Sequence, residues 1–330
     1  MTKIIDEKGR IVKSGKLQNL RKDFKEFLEP FPHTTAVVEA CWNYQVAVRL
    51  LEDHTDEVIL ANPLKVKAIA SAKIKTDSID AETLAQLLRA DLIPEAYLRD
   101  KENRNLQKIL RNHCFYTRRQ TQSKNKIHVL IDGQEEDIRE KAKIFSDLFG
   151  KKGMEWLKSL ELPEPDNNII KDYLEIYELL GEKKKINKEY IVKLSSSDEV
   201  CKLLKTIPGI GDFLALLIKV EIGDIKRFKK SSKLLSYAGI IPSTYKSSNH
   251  TYHGRITKRG NKWLRWGMVE SVRGGIINNI NIRYYYERIK RNKGVNKARI
   301  ATAKRMLQIV YRVLNERDEF KVDIKSSYRK

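Results

Sequence analysis

The chain has 330 residues, which is enough for two or three domains with a sizeable core. Its composition of 41% apolar and 33% charged residues is typical of a soluble globular protein, and the sequence has no 18-residue apolar run, so we exclude a membrane-spanning class. Three widely separated cysteines favour neither a disulfide framework nor a zinc site built from thiolates, and we expect a cytoplasmic protein in a reducing compartment.

The net charge of +22 is concentrated in the C-terminal part of the sequence. Residues 1–100 carry 15 Lys and Arg against 16 Asp and Glu, whereas residues 201–330 carry 30 against 9. A basic excess of this size predicts a polyanionic partner, either nucleic acid or an anionic membrane surface. The basic residues are interleaved with apolar core patterns and are not gathered on one short amphipathic helix, which favours nucleic acid.

Short strand and helix patterns alternate at the start of the chain. The stretch KIIDEKGRIVKSGKL has two short runs around an Asp-Glu-Lys-Gly turn, which predicts a β-hairpin. TTAVVEA is a strand pattern ending at Glu39, NYQVAVRLLEDH has helical spacing, and EVILANP is a strand pattern closed by Asn62 and Pro63. This alternation predicts a mixed or parallel sheet covered by helices, and we expect Cys41 and Trp42 to be core residues.

Two carboxylates begin the next apolar helix pattern, KTDSIDAETLAQLLRADLI. Asp77 as the N-cap with Asp80 at the third helical position would satisfy ordinary helix-start preferences without any chemistry. Positions three apart also share one helix face, so both carboxylates could point into one cleft and form half of a metal site. The pair alone leaves these two alternatives open.

From about residue 100 to 200 the pattern becomes helical. Ile169, Tyr173, Ile176 and Leu180 recur at heptad-like steps, which predicts a long arm or a short coiled coil that Gly181 could interrupt. The preceding LELPEPDNN is typical of a connector.

The basic C-terminal part opens with two apolar helix patterns around Pro-Gly-Ile-Gly. This arrangement resembles the hairpin of a helix-hairpin-helix unit, in which Gly209 and Gly211 would let the backbone approach a phosphate. A polar loop rich in hydroxyls follows, and then a dense basic run whose alternative interpretation is phosphate contact without catalysis. The closing pattern NKARIATAKRMLQIVYRVLNE predicts an amphipathic helix that packs on the core.

Two pairs of motifs occur in a specific order along almost the whole chain. VVEACWNY precedes KTDSIDAETLAQLL, and IPGIGDFLA precedes YAGIIPSTYKSSNHTYHGRITKRGNKWLR. Together they closely resemble the transposases of bacterial insertion sequences that carry an Asp-Glu-Asp-Asp tetrad, relatives of the Piv invertases and now known as bridge-RNA-guided recombinases. The resemblance implies insertion-sequence transposition or site-specific recombination of DNA, guided by a structured RNA, in a homodimer or tetramer built through the helical arm.

The resemblance also implies the fold class. It predicts an α/β RuvC-like, ribonuclease H-type domain over residues 1–148, a helical coiled-coil arm over 149–198, and a mainly α domain with a helix-hairpin-helix unit and a serine loop over 199–330. The family's first strand, with the first tetrad aspartate, has no counterpart in MTKIIDEKGR, and Asp6 falls in the hairpin turn. We therefore expect an N-terminal domain that is incomplete at its start.

The same resemblance assigns the site residues. Glu39, Asp77 and Asp80 match the carboxylates that bind Mg²⁺ in the family, and Ser247 matches the serine nucleophile, with Ser248 as the neighbouring alternative. The predicted nucleic-acid contacts are Gly209, Gly211, Lys246, Arg255, Lys258, Arg259, Lys262 and Arg265.

Two other functions fit parts of the same pattern. A RuvC-like, metal-dependent junction nuclease would use water in place of the serine. A truncated, inactive remnant would bind nucleic acid without cleaving it, and the unassigned first aspartate favours that alternative.

Overall fold

A computed structural model describes residues 1–70, 76–247 and 250–321 of the chain. It contains two compact units, Met1–Asp100 and Lys101–Lys330. The three-segment organisation expected from the sequence stays a prediction. No helix in the described ranges is long and apolar enough to cross a membrane.

The first unit contains two pairs of strands. Strands β1 (Thr2–Ile5) and β2 (Ile11–Gly15) form the predicted antiparallel hairpin, and β3 (Thr35–Glu39) pairs in parallel with β4 (Glu57–Ala61). Within the described residues these pairs are separate two-stranded sheets, so the parallel β3–β4 pair agrees with the expected mixed or parallel sheet and the β1–β2 hairpin does not extend it.

Four helices complete the first unit: α1 (Arg21–Leu28), α2 (Tyr44–Glu52), α3 (Pro63–Ile69) and α4 (Asp77–Arg89). Phe24 and Phe27 of α1 and Leu50 of α2 form a core on which Ile4 of β1 and Val38 of β3 pack. Helix α4 packs against both β1 and β3. The two strand pairs therefore share one set of covering helices.

The second unit is helical apart from one hairpin. Its helices are α5 (Lys101–Asp132), α6 (Glu136–Ile144), α7 (Lys151–Ser159), α8 (Asp166–Ser197), α9 (Glu199–Lys205), α10 (Asp212–Ile222), α11 (Ser231–Ala238), α12 (Lys262–Asn278), α13 (Ile280–Lys293) and α14 (Val295–Glu316). Strands β5 (Pro242–Ser247) and β6 (His250–Ile256) are antiparallel.

Helices α5 and α8 form a long antiparallel pair. Gln134 near the end of α5 donates to Asp166 at the start of α8 at 2.7 Å, and Gln120, earlier in α5, bonds to Lys184, later in α8. The predicted long helical arm is confirmed, and Gly181 does not interrupt it.

Of the four heptad-like positions, Ile169, Tyr173 and Leu180 are half-buried and Ile176 is exposed. Ile170 and Leu174 are buried, whereas Ile176 is 46% exposed. Gly181 lies on the packed face, where Gln120 of α5 approaches so closely that a Cβ would lie 2.9 Å from its amide nitrogen. A side chain at position 181 would require the flexible end of Gln120 to shift.

Helix α10 is the centre of the second unit. Six of its apolar side chains are buried, as expected for a helix that is apolar all round. Helix α14 packs its predicted stripe on this core, since Ala303, Met306 and Val310 are fully buried, and that expectation is confirmed. The hairpin and the basic residues project from this helical core.

Candidate functional site

Glu39 is the last residue of β3 and lies at the carboxyl edge of the parallel strand pair. It aligns with Ala61 of β4, and the Ala40 amide donates to the Ala61 carbonyl at 3.0 Å. The Cys41 amide then donates to the Glu39 carbonyl at 2.7 Å, which turns the chain sharply at the strand end. The Glu39 side chain is half-buried at this edge.

Helix α4 begins at Asp77, but neither of the paired aspartates caps it. Thr76 is the N-cap, and its hydroxyl accepts a hydrogen bond from the Ile79 amide at 3.2 Å. The interpretation of Asp77 as the cap is therefore wrong. Asp77 is exposed and Asp80 is half-buried, both in the first turn, where the helix dipole favours a negative charge.

The three predicted carboxylates belong to one unit, and the helix that carries two of them packs against the strand that carries the third. Carboxylate oxygens are the donors that Mg²⁺ prefers. Among the described residues, however, no three His, Cys, Asp or Glu side chains form a group that could hold a metal ion. The chemistry of the donors fits the cation, whereas their arrangement does not form a complete site.

The residues beside Glu39 are not in the core. Cys41 is exposed, and Trp42 is 93% exposed. The expectation that both are core residues is wrong, because the tight turn after β3 directs the chain away from the sheet before α2 begins at Tyr44.

The predicted polar loop is a β-hairpin. Ser247 ends β5 and is the register partner of His250, the first residue of β6, and Thr244 is the partner of His253. Directly opposed residues of an antiparallel pair have Cα atoms about 4.5–5.5 Å apart. Ser248 lies outside the described residues, as do the side chains of Lys246 and Ser247.

The base of the hairpin is held against the end of α11. The Thr257 amide donates to the Ile241 carbonyl at 2.8 Å, and the Lys258 amide donates to the Gly239 carbonyl at 3.1 Å. Gly260 has a φ of +131°, and a Cβ there would lie 2.3 Å from the Tyr237 carbonyl oxygen. Glycine is therefore required for the chain to pass this close to α11.

The predicted basic contacts divide into two groups. Arg255, Lys258, Arg259 and Lys262 are exposed around the base of the hairpin. Arg265 is half-buried and donates to the Ala238 carbonyl at 2.8 Å, and burial lowers the pKa of its guanidinium. Its charge already stabilises the carboxyl end of α11.

The Pro-Gly-Ile-Gly turn joins α9 to α10, as the sequence predicts. Gly209 has a φ of +91°, and a Cβ there would lie 2.3 Å from the Ser271 carbonyl oxygen of α12. Packing against α12 thus explains this glycine sterically. Gly211 has open space at its Cβ position and lines a pocket of about 250 Å³ with His113 and Lys188.

A buried carboxylate that no sequence motif indicated lies at the start of α12. Glu221 is 1% exposed and pairs with Arg111 of α5, while Asn261 donates to its second oxygen at 2.7 Å. Asn261 in turn caps α12, because its side-chain oxygen accepts from the Trp263 and Leu264 amides at 3.0 Å. The only signal in the sequence was a lone acidic residue within the apolar run LALLIKVEI.

Two family models match the chain in the same order as these features. A model described as "Transposase IS116/IS110/IS902 family" matches residues 201–287, and a DEDD transposase model of the IS110 type matches residues 2–134. Together they match about two thirds of the chain. The chain belongs to the IS110/IS116/IS902 family of transposases. The match over residues 2–134 includes Glu39 and the aspartate pair, and the match over residues 201–287 includes Ser247 and the basic residues around it.

Individual relatives are distant. The transposase for insertion sequence element IS1328 of Yersinia enterocolitica is 23% identical over 266 residues, which are 77% of this chain and 76% of the relative. The transposase for IS1111A of Coxiella burnetii is 25% identical over 138 residues, 40% of this chain and 38% of the relative. An IS110 protein of Streptomyces coelicolor is 31% identical over 116 residues, 34% of this chain and 28% of that protein.

The alignments therefore span well under two thirds of the length of the Coxiella and Streptomyces proteins. In this family member the three carboxylates lie in the first unit and Ser247 lies in the second.

Proposed function

We propose that this protein is a DNA transposase or site-specific recombinase that cleaves and rejoins DNA through a covalent phosphoserine. The observation that carries the proposal is the ordered pair of family matches over residues 2–134 and 201–287. The net charge of +22 and the exposed cations at the base of the hairpin support a nucleic-acid substrate.

Ser247 is the proposed nucleophile. Its oxygen attacks the phosphorus, a bond forms between that oxygen and the phosphorus, and the bond to the leaving sugar oxygen breaks. The serine loses its proton, and the leaving oxygen gains one. The phosphoserine conserves the energy of the broken ester, so that another sugar hydroxyl can reverse the reaction and rejoin the strand without an external energy source.

The exposed cations around the hairpin have a separate role. Arg255, Lys258, Arg259 and Lys262 are proposed to bind the phosphates that flank the reacting one, because cations that contact phosphates position the backbone without reading its sequence. Lys246 is proposed to act with them. Gly211 is a further candidate for phosphate contact, since the pocket that it lines also contains Lys188.

Mg²⁺ is the proposed metal, with Glu39, Asp77 and Asp80 as its protein ligands. A divalent ion would supply charge stabilisation at the phosphate. The described residues do not bring three such ligands into one group. Guidance by a structured RNA is proposed from the family resemblance, with DNA as the substrate.

A suicide DNA substrate with a nick beside the cleavage site tests the serine chemistry. We expect the wild-type protein to form a covalent adduct that survives denaturation, and Ser247→Ala to reduce adduct formation by at least about a thousandfold, because no equivalent nucleophile remains. Ser243→Ala is the matched control, since that hydroxyl donates to the Arg255 carbonyl at 3.1 Å within the same hairpin. We expect the control to retain the adduct.

The other outcomes identify the alternative functions. Cleavage without an adduct, unchanged in Ser247→Ala, would mean a metal-dependent nuclease in which water attacks. An adduct that is lost only in Ser248→Ala would move the nucleophile by one residue. Binding without cleavage by the wild-type protein on every substrate tested would mean a nucleic-acid-binding remnant.

Self-association through α8 is proposed from an exposed apolar seam on its outer face. Ile176, Leu179, Ile186 and Tyr190 are 46%, 54%, 61% and 49% exposed and lie on one heptad pattern, in which Lys183 occupies the position between Leu179 and Ile186. None of these positions belongs to the face that packs on α5. An exposed stripe of this kind is typical of an association surface.

The charges of α8 favour a second copy of the same helix in the antiparallel direction. Residues 166–181 contain four acidic residues and one basic residue, whereas residues 182–197 contain five basic residues and two acidic ones. Antiparallel pairing places the acidic half of each helix beside the basic half of the other, and parallel pairing places like charges together.

Substituting the seam tests this dimer. We expect Leu179→Glu or Ile186→Glu to raise the dimer dissociation constant at least about tenfold, because each places an unpaired charge in the apolar seam. Light scattering coupled to size-exclusion chromatography measures the mass. Val129→Glu is the control, since Val129 is an exposed apolar residue of α5 (67%) outside the seam. A monomeric wild-type protein, or equal dissociation by the control, would contradict the proposed interface.

A further inference from the structure

Trp42 is exposed to an extent that is unusual for tryptophan. Its side chain is 93% exposed, whereas Trp156 lies against Phe145 and Trp263 lies against Trp266. Burying a large aromatic side chain ordinarily stabilises a protein, and the fold forgoes that contribution at residue 42. No aromatic ring of the described residues packs on Trp42.

The position of Trp42 places it at the carboxyl edge of the parallel strands. It follows Glu39 of β3 by three positions, after the tight turn at Cys41. Leu64 follows Ala61 of β4 by the same number of positions and is 74% exposed. Because β3 and β4 are parallel and in register through Glu39 and Ala61, both chains leave the sheet at the same edge.

Cations accompany these apolar side chains. Lys65 and Lys67 of α3 are exposed, and neither forms an ion pair with any residue that the structure describes. Helix α3 starts directly at this edge, with Asn62 as its N-cap and Pro63 at its first position. The edge thus combines a flat aromatic face, an exposed aliphatic side chain, two unpaired cations and the Glu39 carboxylate.

This combination fits single-stranded nucleic acid. Proteins bind unpaired strands by stacking bases on exposed aromatic rings while Lys and Arg contact the backbone, and the stacking is tolerant of sequence because every base has a π-face. A protein partner would need a larger continuous apolar surface than the exposed Trp42, Leu64 and Ile69 provide. Paired bases are excluded from such stacking unless the duplex is opened.

We propose that Trp42 stacks on an unpaired nucleobase beside Glu39, with Lys65 and Lys67 on the adjacent phosphates. The inference rests on the proposed function, because it assumes a nucleic-acid substrate. Trp42 would then be a positioning residue that holds an unpaired nucleic-acid strand at the carboxyl edge of β3 and β4.

The first test uses the fluorescence of Trp42 in the full chain. Subtracting the emission of Trp42→Phe from that of the wild-type protein isolates the Trp42 signal. We expect a saturating 12-nucleotide oligothymidylate to quench this difference signal, because a stacked base lies in contact with the indole ring. A duplex of the same length is expected to leave it unchanged.

Affinities for the same oligonucleotide give an independent readout. We expect Trp42→Ala to weaken binding by about five- to a hundredfold with an unchanged salt dependence, and Trp42→Phe to retain most of the affinity. The double variant Lys65→Gln with Lys67→Gln is expected to reduce the slope of log affinity against log salt by about 1.4. Leu92→Ala, which removes another exposed apolar side chain of the first unit (57%), is the control.

The outcomes separate the inference from the proposed function. Oligonucleotide binding with an unquenched Trp42 signal and an unchanged affinity of Trp42→Ala overturns the stacking role and leaves the transposase proposal intact. Failure of the wild-type protein to bind any DNA or RNA overturns the proposed function itself. A loss of dimer mass in Trp42→Ala without a loss of binding would mean that Trp42 contacts protein, and this also overturns the inference.

Discussion

Replacing Glu221 with glutamine should lower the free energy of unfolding by about 3–5 kcal/mol, because removing one partner of a buried ion pair leaves the other charge uncompensated. Glu221 is 1% exposed, and its partner Arg111 is only partly accessible to water. Glutamine keeps the shape of the side chain, so the loss measures the charge. Urea denaturation followed by circular dichroism gives the change in free energy.

The structural effect of Glu221→Gln should extend beyond the broken ion pair. Asn261 donates to the Glu221 carboxylate at 2.7 Å and caps α12, and the Arg111 guanidinium lies 3.8 Å from the centre of the Trp263 ring. The carboxylate therefore fixes the start of the helix that follows the basic run. We expect Glu221→Gln to weaken nucleic-acid binding as well, although Glu221 itself is buried.

Two further variants control the Glu221 prediction. Glu199→Gln removes an ion pair with Lys202 in which the carboxylate is 84% exposed, and we expect a change of less than about 0.5 kcal/mol. Combining Glu221→Leu with Arg111→Met should cost less than the sum of the single changes, because it leaves no buried charge unpaired. A change at Glu221 as small as that at Glu199 would show that water reaches the pair.

Local patterns predicted the elements of the first unit well. The β1–β2 hairpin, the strand that ends at Glu39 and the close of the next strand at Asn62 and Pro63 were evident from turn residues and apolar spacing, whereas helix α3, which starts at Pro63, was not predicted. The pairing between strands was not evident, because periodicity reports which face of a strand is apolar and not which strand lies beside it. The alternation predicted a mixed or parallel sheet, and in the described residues the parallel pairing is limited to β3 and β4.

The arm shows a different limit of sequence patterns. Helix α8 has apolar residues on two faces, and the heptad-like positions read from the sequence mix the exposed Ile176 of the outer face with the half-buried Tyr173. Its packed face includes Gly181 and Lys184, which a hydrophobic pattern does not report, while Leu179 and Ile186 on the outer face are exposed. Periodicity cannot distinguish a face covered within the chain from one that would meet another chain.

The residues of the candidate site could be predicted mainly where they belong to a motif shared with the family. Glu39, Asp77, Asp80 and Ser247 came from the family resemblance, and their roles stay predictions. Glu221 was missed because its importance depends on partners 110 and 40 positions away, which no local pattern connects. Trp42 was misread because an aromatic residue beside an apolar strand is most often buried.

Glycine at position 209 has two competing explanations, close packing on α12 and close approach to a phosphate. Replacing Gly209 with alanine should lower the free energy of unfolding by about 3 kcal/mol or more. The new Cβ would lie 2.3 Å from the Ser271 carbonyl oxygen and 2.4 Å from the Gly275 amide nitrogen, and the φ of +91° is unfavourable for alanine. These contacts are with helix backbone, which cannot move aside as a flexible side chain could.

Gly211 is the matched control in the same turn. Its Cβ position is open, and its φ of −98° suits any residue, so we expect Gly211→Ala to change the stability by less than about 0.5 kcal/mol. If this turn binds phosphate, Gly211→Ala should still weaken DNA binding, measured by titration of a labelled duplex, because the methyl group would project into the pocket that contains Lys188. Unchanged stability in Gly209→Ala would contradict the packing explanation. If a stable Gly211→Ala protein binds DNA as tightly as the wild-type protein, the turn does not bind phosphate and serves only to connect α9 to α10.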